Sequence, residues 1–185
     1  MVKIRGKIKE MAGSRLLKKE FEVLRIRKGS NYHSAKSIGI IYKDLDEAFF
    51  KEIRAYAKYL KDEYNVQQVI ALGFIDEVAK KIPVWQQHKL EFEYFTKDDL
   101  NWHLKPVKGI SRFVQVPFDL LLDFSGGNVV PLNYVFKSSV AGMKVGVRGS
   151  KSERFSDFII DMGSQFGLEK YVEQLNLYLS NPKIK

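Results

Sequence analysis

The stretch Ser37-Ile38-Gly39-Ile40-Ile41-Tyr42, followed at one helix length by Val69-Ile70-Ala71-Leu72-Gly73-Phe74, decides the fold. Both runs are strand-length and apolar without polar alternation, as strands buried on both faces require. Between them Leu45, Phe49, Ile53, Tyr56 and Leu60 recur at helical spacing. Asp44 is expected to cap this helix, with Glu47 in the reciprocal position of a capping box, and Asn65 to end it. Strand, helix of about twenty residues and strand make a βαβ unit, parallel and right-handed.

Working outward from that unit, Leu90 to Phe95 reads as a third strand and Asp119 to Phe124 as a fourth, apolar on both faces. The residues from Asn101 to Pro117 read mostly as loop. A Ser125-Gly126-Gly127-Asn128 turn leads into a short helix with Pro131 in its first turn and Leu132, Val135, Phe136 and Val140 inward. Met143 to Val147 is a fifth strand and Ser156 to Met162 a sixth. The gap of about nine residues between these two is too short for a parallel crossover, so the sixth strand is expected to run antiparallel. A last helix from Phe166 to Leu179 buries Leu168, Tyr171, Val172, Leu175 and Leu179 and stops at Asn181-Pro182. The expected fold is α/β: a three-layer Rossmann-like sandwich with a mostly parallel, mixed sheet of about six strands and a basic N-terminal helix.

The chain has 185 residues, 45% of them hydrophobic and 13% aromatic, enough to close the core of one domain. It has no cysteine, which excludes disulfides, thiolate metal sites and a Cys nucleophile and suits a reducing compartment. The opening residues carry the charge of a signal peptide without its apolar run, and no run is long enough to span a bilayer; the expected location is the cytoplasm. The net charge of +9 is uneven. Met1 to Lys28 holds ten Lys/Arg against Glu10, Glu20 and Glu22, whereas the rest carries 21 basic and 19 acidic side chains. Residues 1–29 therefore read as a basic amphipathic arm and 30–185 as a single α/β domain. Ile4, Ile8, Met11, Leu17, Phe21 and Leu24 form the arm's apolar stripe, Gly6 and Gly13 each cost its helix ~1 kcal/mol, and Gly29-Ser30-Asn31 stops it.

Three stretches, Ser37 to Tyr42, Lys97-Asp-Asp-Leu-Asn-Trp-His-Leu-Lys-Pro106, and Phe118-Asp-Leu-Leu-Leu-Asp123 with Ser139-Val-Ala-Gly-Met-Lys-Val-Gly146, occur in that order behind the basic arm. Together they resemble a small family of unknown function found mainly in Bacteroidetes. The resemblance covers nearly the whole chain and implies a free-standing bacterial cytoplasmic domain, with no activity, cofactor or catalytic residue to carry over. Phe118 to Val147 alone is similar to the N-terminal half of heptosyltransferase-like glycosyltransferases. Those enzymes hold the sugar nucleotide mainly with a second Rossmann domain, for which this chain is too short, so the similarity is one of architecture.

No motif names a reaction, a cofactor or a catalytic residue. Two contact sites are expected. The first is the arm, where Lys3, Arg5, Lys7, Lys9, Arg15, Lys18 and Lys19, with Arg25, Arg27 and Lys28, could meet RNA phosphates, anionic lipid heads or another acidic partner. A docked helix with solvated charges is the alternative, and Phe21 is the arm's one aromatic for stacking. The second is the turn Asp123-Phe124-Ser125-Gly126-Gly127-Asn128, at the carboxyl end of a central strand and the start of a helix, where a phosphate or carboxylate would meet free N–H groups. It is neither a Walker loop nor a dinucleotide fingerprint, and an ordinary capped turn is the alternative.

An Asp123/Asp161 carboxylate pair fails if the sixth strand is antiparallel, and Asp157 would then be the nearer one. His33, His88 and His103 lack metal-ligand spacing and read as surface or loop residues. Trp102, beside His103, Lys105 and Pro106, either anchors its loop or offers a stacking face. The first functional expectation is a non-enzymatic intracellular binding or interaction protein, with RNA or a ribonucleoprotein as partner. The second is a domain holding a phosphorylated or nucleotide ligand at the turn. The oligomeric state stays open.

Overall fold

Alternate side chains of β1, Ser37–Lys43, are buried on opposite sides of a sheet, Ile38, Ile40 and Tyr42 in one core and Ile41 in the other. A computed structural model describes residues 2–86, 91–163 and 167–181, with side chains from residue 6. The remaining strands are β2 Gln68–Ile75, β3 Phe92–Thr96, β4 Leu120–Asp123, β5 Met143–Val147 and β6 Phe158–Ile160. They form one sheet in the order β3-β2-β1-β4-β5-β6, and every pair is parallel. The helices are α1 Val2–Lys19, α2 Glu47–Tyr64, α3 Ser111–Gln115, α4 Val130–Ser138 and α5 Leu168–Leu179. The α2 and α5 helices pack through Phe50, Ile53, Leu60, Tyr171, Leu175 and Leu179 on one face of the sheet. On the other face lie α3 and α4, through Phe113, Leu132, Val135 and Phe136.

The sheet is all parallel rather than mixed, because β6 runs with β5: Val145 pairs with Phe158 and Val147 with Ile160. Both strands are short, so the return from Val147 to Phe158 need travel back only two residues, about 7 Å along the sheet. Residues 148–157 cover that distance with one 3₁₀ turn, Glu153–Phe155, whose Phe155 is buried in the second core. The connection lies tightly on β5, where a Cβ on Gly146 would overlap the hydroxyl of Ser156. A crossover this short needs no helix.

Local capping differs by two residues from the expectation. Asp46, not Asp44, caps α2, its carboxylate accepting from Phe49 N at 2.8 Å. Asp44 instead accepts from Gln86 Nε2. Asn65 ends α2 in the left-handed conformation as expected.

The arm departs further. Its helix stops at Lys19 and residues 20–29 run on without regular structure. Among the stripe's described side chains only Leu17 is buried; Ile8 and Met11 are exposed, Phe21 and Leu24 almost completely so, and the side chain of Ile4 lies outside the described residues. What seats α1 is polar. Tyr134 Oη donates to Gly13 O at 3.0 Å, and the ammonium of Lys137, near the end of α4, donates to Leu17 O and Glu20 O at 2.6 and 2.5 Å. Those carbonyls lie at the negative end of α1, where a cation is most favourable. Covered by α1, α4 is buried from Val130 through Lys137, on its outer side as well.

Candidate ligand-binding crevice

The chain leaves β1 for α2 on one face of the sheet and leaves β4 for α4 on the other, and β1 and β4 are neighbours. Their carboxyl ends therefore diverge, and the space between is the usual ligand position of open parallel sheets.

The turn after β4 fills its own anion position. Asp123 is completely buried, and its carboxylate accepts from Ser125 N at 2.9 Å, Ser125 Oγ at 2.5 Å and Ser152 Oγ at 3.2 Å. Burial pushes its pKa up, and the hydrogen bonds from Ser125 and Ser152 pull the other way. Gly127 N donates to Ser125 Oγ. Gly126 and Gly127 are buried with positive φ, and a Cβ on Gly127 would overlap the Ser150 and Ser152 hydroxyls. Of the turn's expected contacts only Asn128 is exposed and faces open space.

That space is a crevice of about 530 Å³ between the carboxyl ends of β1 to β3, the start of α4 and the first turns of α1. Lys43 at the end of β1 and Lys97 just after β3 both reach Asp76, each at 3.0 Å and each on a different oxygen. Burial pushes the Asp76 carboxyl up, but the two ammonium groups outweigh it and hold it below the ordinary carboxylate range. The trio carries one positive charge in excess. The lip nearest α1 adds Lys9 and Glu10, and the floor includes Phe74 and Pro131. No side chain caps the first turn of α4, which faces the crevice.

Trp102 stands on the rim, 64% exposed. Its loop is built around Asn101, whose Oδ1 accepts from His103 N and Lys105 N, with Leu104 in the left-handed region. The loop is held by Asn101, and Trp102 is presented rather than buried as an anchor. The sequence pointed to Trp102 but not to Lys43, Asp76 or Lys97, which are separated along the chain and form no motif.

The other expected residues are dispersed. Asp161 follows parallel β6 and so lies on the same edge as Asp123, but two strands away; it binds Arg148 Nε at 2.9 Å and Gly163 N. Asp157 lies at the opposite, amino edge, where it binds Arg25 and Lys144 N, and is not the nearer partner of Asp123. His33 contacts Ser180 O, His103 contacts Asn101, and His88 is outside the described residues. Among the described residues no group of three or more His, Asp or Glu could hold a metal ion. The ammonium-bearing residues Lys7, Lys9, Lys18 and Lys19, with Arg15, stay exposed on docked α1; the side chains of Lys3 and Arg5 are outside the described set.

A model described as a family of unknown function, DUF6913, matches residues 3–181. The chain belongs to DUF6913. No curated protein and no solved structure matches it. The crevice of this DUF6913 chain must accordingly be read from its own chemistry, and the expected similarity of Phe118 to Val147 to heptosyltransferase-like enzymes is not shown by any match. Among the described residues no helix is long and apolar enough to cross a membrane.

Proposed function

We propose that this DUF6913 protein is a cytoplasmic binding module that holds a small phosphorylated or nucleotide ligand in the crevice beside the Ser125–Asn128 turn. The observation that carries the reading is the convergence of Lys43 and Lys97 on the single carboxylate of Asp76 at the carboxyl ends of β1 to β3, next to the β1/β4 switch point. A phosphate would compete with Asp76 for two ammonium groups already aimed at one place. The N-terminal end of α4 supplies the same sign of potential. Asn128 offers an amide for a sugar or phosphate oxygen, and Trp102 a ring on which a base can stack.

The test is thermal stability against a panel of nucleotides and sugar phosphates. A ligand at one hundred times its Kd adds about 2.7 kcal/mol of stability. The shift should vanish in a Lys43→Gln/Lys97→Gln variant that keeps its own melting temperature within a degree or two of the wild type's, since these groups are half exposed. No shift from any member of the panel refutes the reading.

The exposed cations of α1 favour a second reading, contact with RNA or a ribonucleoprotein through Lys7, Lys9, Arg15, Lys18 and Lys19. Bulk cellular RNA should then be retarded in a gel, with log K falling by roughly 0.7 to 0.9 per log unit of salt for each phosphate neutralised. No retardation at low salt dismisses it.

A further inference from the structure

Residues 20–29 cross the amino-terminal edge of the sheet, opposite the crevice, and are clamped there by one side chain. The Arg25 side chain is 2% exposed. Its Nη1 donates to Ala141 O and Gly142 O at 3.0 Å, and its Nη2 donates to both oxygens of Asp157 at 2.8 and 2.7 Å. Lys28 N adds a bond to Gly142 O at 3.1 Å. The backbone is thus tied down, yet Phe21, Leu24 and Ile26 are 99%, 97% and 88% exposed. Three large apolar side chains within six residues, held off the body, form an unpartnered surface that soluble domains seldom show.

From this row and its charge we infer that the segment is a peripheral membrane contact, in which Phe21, Leu24 and Ile26 enter the interface of an anionic lipid surface. Lys18, Lys19 and Lys28 are exposed beside the row, as is Arg27, which also pairs with Glu22 at 3.2 Å, and Met1 to Lys28 holds ten cations against three carboxylates. Anionic head groups attract such a cluster while the acyl boundary takes the apolar side chains. A second copy of the chain fits poorly, because a two-fold contact would set this cationic patch against itself. RNA would satisfy the cations but leave Leu24 and Ile26 in water, with Phe21 alone able to stack.

The proposal is independent of the crevice, which lies on the other edge of the sheet. Its test is co-sedimentation with phosphatidylglycerol/phosphatidylcholine vesicles and with pure phosphatidylcholine vesicles, for the wild type and for a Phe21→Ser/Leu24→Ser/Ile26→Ser variant. The wild type should bind the anionic vesicles, and the variant, unchanged in melting temperature, should bind them roughly tenfold more weakly or worse because binding scales with the apolar area inserted. Three results overturn the proposal. They are wild type left in the supernatant with anionic vesicles, undiminished binding by the variant, and a wild-type dimer or RNA complex that the variant alone loses.

Discussion

Lys144 gives the protein a pH dependence that can be worked through from the structure. It lies on β5 with no exposed surface, its Nζ donating to Lys137 O at 2.9 Å and standing 5.8 Å from the centre of the Phe136 ring. Burial pulls its pKa from 10.5 down to about 7, and the nearby Arg25 guanidinium acts in the same direction. Between pH 7 and 10.5 the unfolded chain therefore holds a proton that the folded chain has released. Stability must rise with pH in that window, by up to about 1.4 kcal/mol per unit for one proton. From pH 7.5 to 9.5 the gain is about 2.5 kcal/mol. The buried tyrosines act with the opposite sign, chiefly above pH 9.5, because burial raises their pKa from 10.0 and the unfolded chain ionises first. Lys144→Met removes the titrating nitrogen and keeps most of the stem. Denaturant unfolding followed by circular dichroism across pH 7 to 9.5 should show the slope in the wild type and most of it gone in the variant, which should be the more stable protein at pH 7. A flat wild-type profile, or an undiminished slope in Lys144→Met, refutes the reasoning.

Lys137→Met removes the donor to Leu17 O and Glu20 O, which should cost about 1–3 kcal/mol and expose the Arg15–Glu22 region to trypsin, read by limited proteolysis against an undigested wild type. Gly146→Val drives a side chain into Ser156 and should lower the urea midpoint by the equivalent of about 1–3 kcal/mol. The same substitution at Gly6, around which nothing lies within 4 Å, should change stability by less than about 1 kcal/mol.

The βαβ start of the fold was legible because it depends on neighbours along the chain. Uninterrupted apolar runs at Ile38–Tyr42 and Val69–Phe74 can only be strands buried on both faces, and the 3.6-residue spacing between them can only be a helix on that sheet. Asn65 and Pro131 acted as local backbone constraints wherever the rest of the chain went. The arm misled for a physical reason. Its apolar residues suggested a docked stripe, whereas α1 is held by hydrogen bonds from Tyr134 and Lys137, more than a hundred residues away, and most of the stripe stays in water.

The turn Asp123–Asn128 was correctly placed at a strand end and helix start, but its anion position is taken by Asp123 itself once Ser152 closes over it. The residues that make the adjacent crevice, Lys43, Asp76 and Lys97, end three different strands and meet only because the sheet places those ends side by side. The direction of β6 belongs to the same class. Loop length argued for reversal, and what permits a parallel return is the close approach of Ser156 to Gly146, a contact that exists only in the assembled sheet. By itself the sequence determined most secondary elements, though not α3 at Ser111–Gln115 or the end of α1 at Lys19, together with the layered α/β class and the segregation of charge to the first twenty-eight residues, all set by short-range periodicity and composition. Tertiary structure alone decided strand direction at the edge, how the first helix is held, and which charges converge, because each depends on the distance between residues remote in the chain.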